Sequence, residues 1–314
     1  MKRLLIAQIV LWSVVGLFLT GTLLFFILGG GAFTAMLGEG SWRENITYQR
    51  GESQLLTDLS QEMEGIDLVV ADFSSDRVDI YVTDDPQLRV IHYGRGLDRS
   101  QAVKLRQSQK TLRISRPDYS DFFNVLPRDS QIEIYLPRQY SGRLAVDLSS
   151  GTVEIHDEMN LESLDLDLSS GKVVSALPLT VKKLRVELSS GNIAMAPVFS
   201  ETFSIDLSSG RVKMDGLTGG GRIQLSSGSV DIQRMNITGD VSVDAQSGRC
   251  ILKLAGEPSL DFTGEASSGR IATYFPAHNS SRHVGTDLSA QVGEGPYHRL
   301  KVDISSGSVS IEQA

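Results

Sequence analysis

The sequence predicts an all-β fold: a β-solenoid (β-helix-like) of Ser-Ser-Gly coils of about 19–20 residues, preceded by a single N-terminal transmembrane helix. Three observations carry this expectation. A Ser-Ser-Gly core stands at 149–151, 169–171, 189–191, 208–210, 226–228, 267–269 and 305–307, with Gln-Ser-Gly at 246–248. Its glycines are spaced by 20, 20, 19, 18, 20, 21 and 38 residues, the last gap being close to two periods. The flanking residues alternate apolar and polar, and the chain opens on a long apolar run.

Aligned on the glycine, the copies show what each position does. Leu148, Leu168, Leu188, Leu207, Leu225, Ala245, Ala266 and Ile304 precede it by three residues, and an aliphatic residue or Cys250 follows it by two. Both columns are expected to face inward. Four residues before the glycine, Asp147, Asp167, Glu187, Asp206, Gln224, Asp244, Glu265 and Asp303 form a nearly pure acidic column, expected to face water. Alternation with period 2 marks strands with one buried face. The glycine is assigned to a corner needing positive φ, and the serine beside it to hydrogen-bonding the free backbone there.

From the beginning, Lys2 and Arg3 precede an apolar run from Leu4 to Leu28 without charge. At ~1.5 Å per residue it exceeds the ~30 Å hydrocarbon core, too long for a cleaved signal peptide and suited to an uncleaved anchor. The basic pair favours an N-terminus inside and a body outside the cytoplasmic membrane. Residues 1–38 are therefore assigned as transmembrane anchor with short cytoplasmic N-terminus, 39–65 as linker and cap, and 66–314 as solenoid ectodomain. Within the linker, Leu55, Leu56, Leu59 and Met63 fall at helical spacing from Glu52 to Glu64, predicting a short amphipathic helix that covers the first coil.

Residues 66–146 repeat the pattern loosely. Ile66 to Ile80 aligns with the motif, with Asp76 in the glycine's place. Strand-like runs follow at 88–93, 111–115, 131–136 and 144–148. The span from Asp76 to Gly151 is close to four periods, which predicts about 13 coils and a rod on the order of 60 Å long. One insertion, 118–127, carries Tyr119, Phe122 and Phe123 and is the candidate partner-binding loop, because insertions on a solenoid face often carry its binding surface. A second irregular region, 276–300, is expected to replace one degenerate coil.

Composition narrows function. Residues 39–314 carry 28 Lys and Arg against 38 Asp and Glu, a net charge of −10 that argues against nucleic acid as a partner. The single cysteine, Cys250, excludes an internal disulfide and falls on the inward column, where a small buried hydrophobe is expected. Ser169-Ser170-Gly171-Lys172 matches Ser-x-x-Lys, yet other copies hold unrelated residues at the lysine position and the companion motifs are missing. Gly219-Gly220-Gly221 precedes a strand and is read as a turn. His278 and His283 lack zinc spacing. The acidic column is read as a solvated face rather than a cation ladder, with Lys172, Arg211, Arg249 and Arg270 beside the corner to neutralise it. No catalytic, cofactor-binding or metal-binding residue is assigned, and no cofactor is expected.

The run from Ser130 to Pro137, the run from Leu144 to Ile155, the later copies and the closing Gly293-Glu294-Gly295 before Ile304 to Val309 resemble a bacterial membrane-anchored β-strand-repeat family labelled "putative adhesin", a domain of unknown function. The resemblance covers roughly residues 60–314 and extends to LiaG-like envelope-stress proteins. It implies an outward-facing, anchored body and brings no catalytic residues.

Together these readings predict a non-enzymatic cell-envelope protein. It is held in the membrane through residues 4–28 and presents an elongated surface to a protein or cell-wall partner, in envelope-stress sensing, modulation or scaffolding. The alternatives are an adhesin for extracellular or cell-wall ligands and a β-helix enzyme acting on cell-wall polysaccharide. Self-association through an open coil edge is a further expectation.

Overall fold

Two stacks of parallel strands, joined at the Ser-Ser-Gly corners, build the body. The structure, a computed structural model, describes residues 53–117, 129–275 and 287–314. The expected anchor at 4–28 lies outside them, and among the described residues no helix is long and apolar enough to cross a membrane.

On one side of the corner the strands run, in spatial order, Thr111–Ser115, Leu68–Phe73, Arg143–Leu148, Met159–Leu168, Leu179–Leu188, Val198–Leu207, Leu217–Leu225, 241–245, His298–Ile304 and Leu260–Ala266. On the other side Asp129–Pro137, Arg77–Thr83, Thr152–Ile155, Lys172–Ser175, Asn192–Met195, Arg211–Met214, 229–232, Arg249–Leu254, Ser308–Gln313 and Arg270–Thr273 stack in the same order. The described residues thus form ten levels rather than the 13 expected from length, about 43 Å at the ~4.8 Å strand spacing.

The shortfall has two causes. The coil with Ser74-Ser75-Asp76 stacks directly on that with Ser149-Ser150-Gly151, Thr152 donating its backbone N–H to the Asp76 carbonyl at 3.0 Å. The chain between them first turns back in the antiparallel strands Gln87–Arg95 and Lys104–Ser108 and then adds one further level, Thr111–Ser115 with Asp129–Pro137. At the other end, the last Ser-Ser-Gly coil does not follow its predecessor: it inserts between the coils of Gly248 and Gly269. Residues Asp287–Val292, expected in a degenerate coil, run antiparallel to Leu260–Ala266.

The apolar columns meet inside as predicted. Leu148, Leu168, Leu188 and Leu207 pair in register on successive levels and are buried, as are Val153, Val173, Ile193 and Val212 across the corner. Cys250 is fully buried in that second column, and burial pushes its thiol up to about 12. The long strands bend where alternation slips: Ser163 and Leu164 are both buried. Gly219 to Gly221 sits at the equivalent bend inside a strand, not in a turn, with φ of 141° and 158° at Gly219 and Gly221, whose backbones close on Ser200 and Phe203.

The corner glycines have another cause than the one expected. None of them has positive φ, nor does Asp76. A Cβ on Gly228 would stand 2.6 Å from the Gly210 carbonyl oxygen, and one on Gly248 2.7 Å from that of Gly228. Parallel hydrogen bonds continue around the bend, from Ser169 N to Leu148 O at 3.0 Å, Ser170 N to Ser149 O at 2.8 Å and Lys172 N to Gly151 O at 2.9 Å. Glycine is needed because one level's carbonyl presses on the next level's Cα.

The expected helix at 52–64 is instead the strand Gln54–Glu62, antiparallel to Gln87–Arg95, which in turn pairs antiparallel with Asp129–Pro137. A bulge between Leu55 and Thr57 breaks the period-2 pattern, leaving spacing that mimics a helix. The unpaired strand edge outweighs that weak local preference. Arg89 bonds Asp58 through Nε at 2.8 Å and Nη2 at 2.6 Å and fastens Gln87–Arg95 to Gln54–Glu62.

Candidate functional site

The corner divides the long surface into two charged lanes. At the corner, two serine hydroxyls reach not free groups of their own turn, as expected, but carbonyls of the neighbouring level that already accept ladder bonds: Ser150 Oγ donates to Ser74 O and Ser190 Oγ to Ser169 O, each at 3.1 Å. Before the corner, the acidic column becomes a continuous ladder. Asp72, Asp147, Asp167, Glu187 and Asp206 occupy adjacent levels, and beyond Gln224 come Asp244, Asp303, Glu265 and Asp287. It flanks an open groove of about 1080 Å³.

Its neutralising partners are not Lys172, Arg211, Arg249 and Arg270, which lie across the corner. They are Arg113 on Asp72 at 2.6 Å, Arg222 on Asp206 at 3.4 Å, Lys301 on Asp303 at 2.9 Å, and Arg185 on Glu187. Each stands on the carboxylate's own strand two residues back, or on the next strand. Asp147 sits between Asp72 and Asp167, and burial together with those neighbours raises its carboxyl above the ordinary range. After the corner, Lys172, Arg211, Arg249 and Arg270 are exposed, and Arg211 and Arg249 line a second groove of about 620 Å³ together with corner serines and glycines.

A compact polar cluster occupies the early levels of this second side. Asp79, buried, receives Arg77 Nε at 3.3 Å and Gln131 Nε2 at 3.1 Å on Oδ2, and lies 2.8 Å from His156 Nε2 through Oδ1. Arg77 Nη2 also reaches Glu154 at 3.4 Å. The Tyr81 ring stacks on His156 at 4.5 Å and on Tyr135 at 5.2 Å. Ligand atoms of Asp79, Glu154 and His156 come within 4.8 Å of one another, a mixed nitrogen and oxygen donor set. Arg77 already balances both carboxylates, so a cation would have to displace it. Sequence reasoning missed this cluster, because only the stacking of the Asp76 coil on the Gly151 coil brings Asp79 to His156. The outward position of Arg77, Asp79 and Tyr81 on one strand was the available signal.

Inside the same end, Asp76 is buried and accepts Arg116 Nε at 2.8 Å on Oδ1, its Oδ2 having no hydrogen-bond partner among the described residues. Nearby His92 is fully buried. Its Nδ1 accepts the Val103 N–H at 3.1 Å, so Nε2 carries the proton and donates to Ser130 Oγ at 2.9 Å. Burial lowers this imidazole to about 4 and keeps it neutral.

The candidate loop residues Tyr119, Phe122 and Phe123 lie outside the described residues, as do His278 and His283.

Against this geometry, a family model described as Toastrack DUF4097 matches residues 66–312. The chain belongs to the Toastrack DUF4097 family. The match covers the stack of levels. A comparison with curated proteins finds no match. Among solved structures, the Toastrack chain is similar to a "putative lipid binding protein" from Parabacteroides distasonis, with 18% identity and a TM-score of 0.50, covering 83% of this chain and 97% of that one. It is also similar to a "putative adhesin" from Bacteroides fragilis, with 13% identity and a TM-score of 0.47, covering 82% and 97%.

Proposed function

We propose that this Toastrack chain is a non-enzymatic cell-envelope protein, anchored through residues 4–28 with its body outside the cytoplasmic membrane. There it presents an elongated surface to an envelope partner in stress sensing or scaffolding. The observation that supports this reading is the continuity of the charged lanes. Before the corner, carboxylates stand on level after level, interrupted at Gln224, and after it cations recur on every second level, giving a long periodic face of the kind solenoids offer to extended partners. The carboxylates are distributed along the stack, unlike the converging acid and base of a glycosidase. Membership of LiaG-like systems is part of the same proposal and rests on the sequence resemblance.

The test is topology followed by function. Cells expressing the full chain are fractionated, and intact cells or spheroplasts are treated with protease. Expected are a membrane-fraction protein whose body is cleaved from outside, and an altered envelope-stress response when Arg211 and Arg249 are replaced with folding intact. A body protected inside the cytoplasm would overturn the reading.

A further inference from the structure

The residue immediately after each corner shows a pattern in space that chain order hides. The cations Arg77, Lys172, Arg211, Arg249 and Arg270 stand on every second level. The levels between them hold Thr152, Asn192, Ser229 and Ser308, all small and uncharged. Along the chain, Arg249 and Arg270 occupy consecutive repeats; only insertion of the last coil places Ser308 between them. The alternation is therefore a product of the fold.

Avoidance of like charges on neighbouring strands does not account for it. On the opposite side of the same corner, Asp147, Asp167, Glu187 and Asp206 stand on consecutive levels without alternation. Arg77 is tied to Asp79 and Glu154, whereas Lys172, Arg211, Arg249 and Arg270 are exposed with no ion-pair partner among the described residues. The groove lined by Arg211 and Arg249, in the middle of this lane, also carries the hydroxyls of Ser190, Ser209, Ser227 and Ser247.

We propose that this lane is a docking track for a linear anionic polysaccharide carrying one carboxylate per disaccharide. The inference rests on the envelope-surface reading above and names the chemistry of its partner. Cations two strand spacings apart recur every ~9.6 Å, which matches a disaccharide in an extended β-linked glycan. A nucleic-acid strand, with a phosphate every ~3.4 Å of duplex, does not match it. Arginine supplies a planar fork for each carboxylate, and the intervening Thr, Asn and Ser offer hydrogen bonds to the neutral sugar. The acidic ladder around the corner repels the same polymer and confines it to this side.

The experiment measures binding of the full chain in detergent to three probes of equal length: a hyaluronan decasaccharide with one carboxylate per disaccharide, a polygalacturonate decamer with one per sugar, and neutral chitin oligosaccharide. Hyaluronan is expected to bind and to weaken as salt rises, while the neutral probe does not bind. Arg211→Gln with Arg249→Gln is expected to weaken hyaluronan about tenfold or more, and Lys213→Gln, a cation off the lane, to leave it unchanged. Ser229→Arg fills an empty level; it is expected to favour polygalacturonate and bring hyaluronan no gain. Absence of hyaluronan binding by folded protein would overturn the proposal. So would indifference to the double substitution, or equal tightening of both acidic probes by Ser229→Arg. If the lane proves inert while the body still lies outside the membrane, this inference falls and the envelope reading stands. A body found in the cytoplasm sinks both.

Discussion

Ser308 donates its backbone N–H to the carbonyl of Gly248 at 2.9 Å, although a complete coil intervenes between them in the chain. The C-terminal coil is thus an internal layer of the stack, and Ser267-Ser268-Gly269 forms the outer one. A chain ending at Tyr297 is expected to lose amide-exchange protection at Arg249–Leu254 and Arg270–Thr273 together, since both pair with Ser308–Gln313. Protection retained at 270–273 would show that this coil docks without the inserted layer.

Gly228→Ala places a methyl group against the Gly210 carbonyl in a rigid ladder. It is expected to cost about 2–3 kcal/mol, in the range of overpacking, read as a lower urea midpoint at unchanged slope. Gly65→Ala, at φ 74° with open space around it, is expected to cost nearer ~1 kcal/mol from backbone strain alone.

His92 gives the fold a pH dependence with a definite sign. Its folded-state value, about 4, lies below the ordinary 6.5. The stability tied to the neutral ring is therefore complete above pH 6.5 and is lost as pH falls from there toward 4. The full difference is on the order of 3 kcal/mol. Urea unfolding at pH 7.5 and pH 5 is expected to show about 2 kcal/mol of this loss in the native chain and a smaller one in His92→Gln, which has no titrating ring.

Asp147 titrates in the opposite sense. A carboxyl raised above the ordinary 3.8 contributes stability when protonated, and that contribution is lost as pH rises through the raised value. Asp147→Asn is expected to raise the unfolding midpoint at neutral pH by relieving the burial of a charge and the facing like charges, the latter part worth about 0.5 kcal/mol. The like-charge part of the gain is expected to shrink as salt rises, and the whole gain to vanish below pH 3.8. A gain that persists at high salt would assign the effect to burial rather than to Asp72 and Asp167.

Much of this fold was legible because each repeat carries its own instructions. Leu148 and its counterparts, the acidic column and Ser150 with its equivalents declare inside, outside and corner in every copy, and the strands at 111–115, 131–136 and 144–148 lie where the pattern put them. The order of layers was not legible. Columns that match Gly228 to Gly248 match Gly248 to Gly307 equally well, so repeat patterns cannot say which coil lies next to which. The same blindness hid Asp79 from His156 and the alternation along Arg211, Ser229 and Arg249. The glycine's purpose was misread because a local turn and a neighbour's carbonyl demand the same residue. Gln54–Glu62 was misread because a bulge at Leu55 to Thr57 disguises a strand.

The inserted C-terminal layer sets the timetable of assembly. As the chain leaves the ribosome, residues 260–273 emerge before 298–313, yet their proper seat exists only once the later segment arrives. A premature seat on Arg249–Leu254 offers the same inward columns and must be vacated, or never taken. The levels beyond Arg249–Leu254 are therefore completed only once residues 298–313 have emerged, and the growing stack stays open-ended until then.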